Sequence, residues 1–430
     1  MQKPPSRITR TALLVLFLLV YVAESHGQSI VLDKNEERIF SELTWLPYGF
    51  YSGSFGLGIG VGASYAGWPE EPSSMLGAFT LGTKGSYNVI GGMSDFQMPG
   101  MPRLVINPLF SLGLYQEQRF YVGRNPAFGG ERAGSNDSDP DHYIEATEWD
   151  NWAEIDFRFL LPLGHGKETI VSRYVIEKGL LYSGASGGES WNPVRSGRTV
   201  FCIKPGWREQ TLDRDDLNVP FETFNVEVAL EHNNYDFPFN PSEGSFKRLA
   251  YKKDLTSDAQ LGGWETVALE LGKVFNLGGR DWARQQGLAL GFWTAYVPTW
   301  KDGSVDTIQR PPPYEGAVLG GIHRMRAYED NRFSDKAAIY YTAEYRLIPA
   351  WQPLRRQQWM EWADIGWWQW ALFTEAGQVS PAYQIDELHN RLHVDGGLSL
   401  RVMTHKAVCR LDFSAGEEGL RVVAMYGQPF

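Results

Sequence analysis

The stretch SFGLGIGVGASY (Ser54–Tyr65) decides the fold. Gly56, Gly58, Gly60 and Gly62 alternate there with Leu57, Ile59, Val61 and Ala63. Gly58, Gly60 and Ala63 satisfy the G-x-G-x-x-A spacing of a dinucleotide loop. That fingerprint works only as a turn opening a helix, whose N-terminus then holds the pyrophosphate. The chain instead continues as AGWPEEPSS (Ala66–Ser74), with two prolines and no helical apolar period. The other positions explain more. Phe55, Leu57, Ile59, Val61, Ala63 and Tyr65 repeat with period 2, which is a strand with one apolar face and one almost bare. The question becomes what kind of sheet takes such a strand.

Similar alternation recurs along the chain. Val226, Val228 and Leu230 oppose Glu227, Ala229 and Glu231. Val267, Leu269 and Leu271 oppose Ala268, Glu270 and Gly272. Ile339, Tyr341, Ala343, Tyr345 and Leu347 oppose Thr342, Glu344 and Arg346. Leu392, Val394, Leu398, Leu400 and Val402 oppose His393, Asp395, Ser399 and Arg401. A soluble sandwich also alternates. Here, however, the non-apolar faces mix charges with glycines, as a wet lumen does, while the apolar faces suit lipid. Trp264, Trp293, Trp300, Trp351 and Tyr383 near segment ends read as an interfacial girdle.

The ends agree with export. Lys3, Arg7 and Arg10 precede the apolar run Thr11–Val22, and Ser25 and Gly27 follow, so residues 1–27 read as a secretory signal peptide. No later window holds 18 consecutive apolar residues, which leaves no candidate transmembrane helix. A net charge of −11 without a basic run argues against nucleic acid as the main partner. The only cysteines, Cys202 and Cys409, imply no disulfide framework.

These features predict an all-β fold, a 16-stranded antiparallel transmembrane barrel over residues 44–430. Strands are expected near 44–52, 55–66, 74–84, 86–96, 103–116, 148–162, 169–182, 223–236, 244–255, 264–275, 286–300, 336–348, 368–380, 391–404, 406–415 and 419–430. Most have the length a tilted spanning strand needs. An even number returns the chain to the periplasmic side. Leu163–Glu168 and Phe237–Gly244 read as short turns. Residues 117–147, 183–222 and 301–335 read as long surface loops, with extra strand structure at 199–211. Residues 28–43 form a short N-terminal segment, too short for a separate domain. Within it Asp33–Leu43 reads as a short helix, with Asp33 as cap and Glu36 at the capping-box position.

Five motifs in the C-terminal half carry a family resemblance. NPSEG (Asn240–Gly244) is similar to a Pro-x-x-Gly turn, and LGGIHRMRAYED (Leu319–Asp330) to a Gly-Gly…Arg-Gly-aromatic loop. AEYR (Ala343–Arg346) is similar to a Glu-x-Arg strand and FTEAGQV (Phe373–Val379) to a Phe-x-Asp-x-Gly strand. MYGQPF (Met425–Phe430) is similar to a terminal strand with an assembly signal. In this order they resemble the bacterial surface antigen family, the barrel domain of BamA/TamA assembly proteins and two-partner secretion transporters. The resemblance implies that loop 301–335 folds into the lumen. It implies a lock of Arg326, Ala327 and Tyr328 against Glu375, and barrel-motif residues Gly244, Glu344, Arg346, Phe373 and Gly377. It assigns Tyr426, Gly427 and Phe430 to the assembly signal. Ala327 stands where the family has glycine and Glu375 where it has aspartate. A desolvated guanidinium needs an anion, and Glu375 is the expected partner. The alternative leaves Arg326 solvated on a loop. The periplasmic docking domains of the assembly members are not expected here.

The implied function is insertion or translocation of proteins or lipids at the outer membrane, without enzymatic chemistry or cofactor. The alternative is a passive structural or pore-forming barrel plugged by residues 301–335. Expected partners are outer-membrane lipid and lipopolysaccharide, and client outer-membrane proteins or a separate periplasmic partner. Other sites read blandly. Asp137, Asp139, Asp141 and Glu148 have EF-hand spacing, but His142 takes the glycine position and Pro140 stiffens the loop, so a solvated loop is expected and no metal. Ser186 stands among glycines with no histidine and acid placed beside it. Trp351–Trp362 reads either as an interfacial helix or as an aromatic-rich turn.

Overall fold

The computed structural model describes residues 30–34, 43–214, 217–256, 263–301, 310–354, 365–404 and 407–426. Its dominant element is an antiparallel ladder of sixteen strands. These are β1 (Leu43–Ser52), β2 (Gly56–Ala66), β3 (Ser74–Gly82), β4 (Tyr87–Ser94, continued by Phe96–Met98) and β5 (Met101–Phe120). Next come β6 (Ile144–Leu160), β7 (Arg198–Arg214), β8 (Leu217–Asn233), β9 (Gly244–Asp254), β10 (Glu265–Asn276) and β11 (Ala283–Tyr296). The ladder ends with β12 (Ala337–Pro349), β13 (Ile365–Ser380), β14 (His393–Thr404), β15 (Ala407–Gly416) and β16 (Gly419–Tyr426). Each strand pairs with the next, and the sheet forms a barrel. The start of β1 and the finish of β16 lie at one end of this up-and-down ladder, the end that the sequence reading expects to face the periplasm and that is called periplasmic from here on.

Side-chain exposure follows the period-2 pattern. Leu57, Ile59 and Val61 are exposed on the outer face, as are Leu230 and Leu249, which pair across β8 and β9. Soluble proteins rarely leave so continuous an apolar belt in water, whereas a barrel wall facing lipid requires one. The glycines of β2 face inward, but they are not bare. The rings of Phe50 and Tyr48 from β1 lie over Gly58 and Gly60, and a Cβ on Gly58 would sit 2.5 Å from the Phe50 ring. The alternate glycines therefore admit two aromatic rings that a side chain would displace.

Four expectations need correction. The seventh wall strand is Arg198–Arg214, not 169–182. Pro205 had disguised it, because proline interrupts a ladder; the pairing of β7 to β6 has a gap at Lys204 and Pro205. Residues 183–222 are thus no surface loop. β7 and β8 pair as one long hairpin, and residues 161–197 lie at the periplasmic end. Within them Ser172–Glu177 and Leu180–Ser183 make a small sheet, joined in parallel by Ile30–Lys34. The helix expected over Asp33–Leu43 begins inside that strand, and its residues 35–42 lie outside the described residues. The girdle is also differently built. Trp264 and Trp293 are buried and Trp300 is packed on the inner core, whereas Trp351 and Tyr383 are exposed. Trp45, Trp68 and Trp282 stand with Trp351 at the periplasmic ends of their strands. Trp149, Phe224 and Tyr251 mark the other rim. Alternation alone cannot tell an inward tryptophan from an outward one when its segment is a residue longer or shorter.

Candidate functional site

The long connection between β11 and β12 enters the lumen. Its two limbs pair as a short ribbon, Ala317–Leu319 with Phe333–Asp335. Leu319, Met325, Tyr328 and Phe333 pack with Trp293, Tyr340 and Val379 of the inner wall. Gly377 permits that approach: a Cβ there would lie 3.0 Å from Leu319 and 3.1 Å from the Met325 sulfur. The tip takes its strained backbone at Met325 (φ 60°) and Asn331 (φ 56°). Ala327 is not among the residues with positive φ, so alanine there carries no conformational penalty.

Arg326 is fully buried and meets three carboxylates. Its Nε donates to Glu375 Oε1 at 2.9 Å, Nη1 to Asp412 Oδ2 at 3.0 Å and Nη2 to Glu344 Oε1 at 3.1 Å. Its backbone N–H donates to the other Glu375 oxygen at 2.7 Å. The guanidinium lies 3.5 Å from the Phe373 ring centroid. The Tyr340 hydroxyl donates to Glu375, and the Ala327 N–H donates to Asp395 at 3.1 Å. The carboxylates have further cations. Glu344 accepts from Arg401 at 2.8 Å and from Arg346 at 2.9 Å, and Arg410 pairs with Asp412 at 3.0 Å. Four arginines (326, 346, 401, 410) thus face four acids (Glu344, Glu375, Asp395, Asp412) on the inner wall of β12–β15. Such a cluster holds together in a desolvated site because the charges balance and each of the four carboxylates accepts at least one hydrogen bond from an arginine or a backbone N–H.

Secondary ties hold the rest of the loop. The Tyr328 carbonyl accepts from Arg421 of β16 at 2.6 Å. Arg332 pairs with Glu418 at 2.9 Å and donates to Ser138 Oγ at 2.8 Å. On the opposite wall, Arg208 of β7 lies over the Tyr314 ring at 3.7 Å and Lys252 of β9 pairs with Glu315 at 3.0 Å. The loop therefore spans the lumen, leaving a cavity of about 380 Å³ lined by Trp152, Arg158, Cys202, Glu231 and Arg248 among others.

The other expected residues fall as follows. Gly244 has φ 112° against the Asn234–Tyr235 backbone, which only glycine permits comfortably. Tyr426 ends β16, while Gly427 and Phe430 lie outside the described residues. So do residues 355–364 of the tryptophan-rich segment and residues 1–29, which include the expected signal peptide 1–27. Asp137 pairs with Arg391, whereas Glu148 bonds Gln210 inside the barrel, so the EF-hand spacing gathers no common centre. Among the described residues no group of three His, Cys, Asp or Glu side chains could hold a metal ion. Ser186 bonds the Tyr174 hydroxyl. Neither cysteine forms a disulfide, and both are buried. Sequence reasoning missed Arg401, Arg410, Asp395 and Asp412 as parts of the cluster. The available signal was their position on the polar faces of β14 and β15: Asp395 follows Val394, Arg401 lies between Leu400 and Val402, Arg410 precedes Leu411, and Asp412 lies between Leu411 and Phe413.

No protein-family model matches the sequence, and no curated sequence matches it. Solved structures do. CdiB from Escherichia coli is similar over 90% of this chain and 62% of its own, at 10% identity and TM-score 0.55. CdiB from Acinetobacter baumannii is similar over 90% of this chain and 59% of its own, at 12% identity and TM-score 0.51. The chain has the CdiB barrel fold. It spans only about three fifths of the CdiB chains. A structure of BamA from Haemophilus ducreyi lacking POTRA domains 1–3 aligns at 11% identity and TM-score 0.49, over 89% of this chain and 69% of that one.

Proposed function

We propose that this chain is an outer-membrane barrel that aids insertion or translocation of client proteins or lipids, with the edge formed by β1 and β16 as its working part. The observation that carries the reading is the lumenal loop held by Arg326 on the wall of β12–β15, beside the last strand. Arg421 of β16 grips the same loop through the Tyr328 carbonyl and Asp330. Loop position and the terminal strand are thereby mechanically linked. The motif order shared with surface antigen barrels and the CdiB fold support the same reading. A freely conducting pore is the poorer account, because the loop crosses the lumen from β7–β9 to β12–β15. The outer-membrane location, lipopolysaccharide contact and a separate periplasmic partner belong to this proposal.

The test is reconstitution. A urea-unfolded outer-membrane client is added to liposomes with and without the refolded protein, and its folded, protease-protected form is followed by gel mobility. Several-fold faster client folding is expected with the protein. Equal rates in empty liposomes would remove the insertion reading.

A further inference from the structure

We propose that residues 161–197, stitched to Ile30–Lys34, form a periplasmic gate in series with the lumenal loop, and that the N-terminal strand is its latch.

The segment leaves β6 and rejoins β7, two neighbouring strands, yet it touches the periplasmic rim nearly all round. Arg103 at the start of β5 donates to the Gly166 carbonyl at 2.7 Å. Arg173 pairs with Glu71 between β2 and β3. Ser186 and Gly188 donate their N–H groups to Asp236 and Asn234 between β8 and β9, at 3.1 and 2.9 Å. Arg284 of β11 donates to the Lys178 carbonyl at 3.0 Å. On the far side Trp367 of β13 donates its indole N–H to the Gly179 carbonyl at 2.7 Å. A structural loop joining adjacent strands needs none of these contacts; a cover across the mouth needs all of them.

The cover has its own apolar core. Leu32, Tyr174 and Ile176 pack on Phe237 and on the inward side chains at the periplasmic ends of four strands: Ile348, Trp367, Met403 and Val408. Its fastening to the wall is the releasable kind. Among the described residues its three strands pair only with one another, so it can part from the wall without breaking the barrel ladder. One close seat is a glycine pair: a Cβ on Gly366 would lie 2.8 Å from the Gly179 Cα. The latch strand runs parallel to Ser172–Glu177 and leads within residues 35–42 to β1. A pull on the N-terminus would reach both the cover and the first wall strand. Inner-wall strand β13 bears both gates, with Glu375 holding the loop and Trp367 holding the cover. At about 3.3 Å per residue they stand roughly 26 Å apart.

The experiment uses the refolded full chain in planar bilayers, with Arg326→Ala, Gly366→Val and the double variant. Native protein and each single variant should stay near the closed level. The double variant should give steps at least tenfold larger. If Arg326→Ala alone conducts like the double variant, the cover is no gate. A second readout uses Cys202, which lines the cavity, in a Cys409→Ser background. Modification by a cationic methanethiosulfonate should be at least tenfold faster in Gly366→Val; an unchanged rate would overturn the proposal. Should Gly366→Val not fold, Leu32→Asp places a carboxylate in the core of the cover from outside the ladder and must give the same acceleration. No client is present in either readout, so failure here leaves the insertion reading untouched.

Discussion

Arg326→Ala is expected to destabilise the folded barrel by about 3–5 kcal/mol, the scale on which removing one partner of a buried charge pair acts. The reason is the number of groups left behind. Glu375 loses its Nε donor, Asp412 and Glu344 lose one each, and all three carboxylates are buried. Arg346, Arg401 and Arg410 remain, so four acids would face three cations. Neutral Phe373 would lose the guanidinium over its ring as well. The loop should then leave the wall, and trypsin should cut at Arg324 and Arg332, which the native fold protects. Arg326→Lys keeps the charge but loses the planar fork, and should fall between. Denaturant midpoints with trypsin mapping check this. A native midpoint with a protected loop in Arg326→Ala would mean that packing of Leu319, Tyr328 and Phe333 alone holds the loop.

The second large effect concerns the outer face. Leu249 is central in β9, 54% exposed, and pairs with Leu230 and Leu269. Leu249→Arg should cost about 2–4 kcal/mol in bilayers, the range for arginine at the midplane of a barrel. Phe275, near the periplasmic end of β10, is also exposed. Phe275→Arg should cost only about 0–1 kcal/mol, since arginine near the interface reaches headgroups. Folding free energies in lipid vesicles measure the difference. Equal small costs at both positions would place Leu249 in water and take the belt of β8–β10 out of the membrane.

What could be read from the sequence follows from period 2. The alternation of β2, β8, β12 and β14 assigns faces residue by residue, because adjacent side chains point to opposite sides of a sheet. Glu344, Asp395 and Arg401 could therefore be put on the wet face from sequence. Their convergence could not, since it depends on the stagger between strands, which alternation leaves free. Arg410 and Asp412 enter the cluster only through that stagger. The periplasmic cover was hidden for a different reason. Ser172–Glu177 alternates like a wall strand, but Lys178 and Gly179 both take positive φ and turn the chain back after six residues. Pro205 made the true strand look broken. Buried Trp293 looked like a girdle residue because a tryptophan near a rim and one under a loop have the same neighbours in sequence.

The loop's seat in the lumen is best tested by a cross-link. The Ala327 Cβ lies 3.0 Å from where a Cβ on Gly416 would be, close to the separation of a disulfide after a small adjustment. In a Cys202→Ser, Cys409→Ser background, Ala327→Cys with Gly416→Cys should form this bond nearly completely on mild oxidation of the folded barrel, and a peptide joining loop to β15 should appear by mass spectrometry. A folded barrel in which both thiols stay free would contradict a loop held against β15, and with it the lock at Arg326.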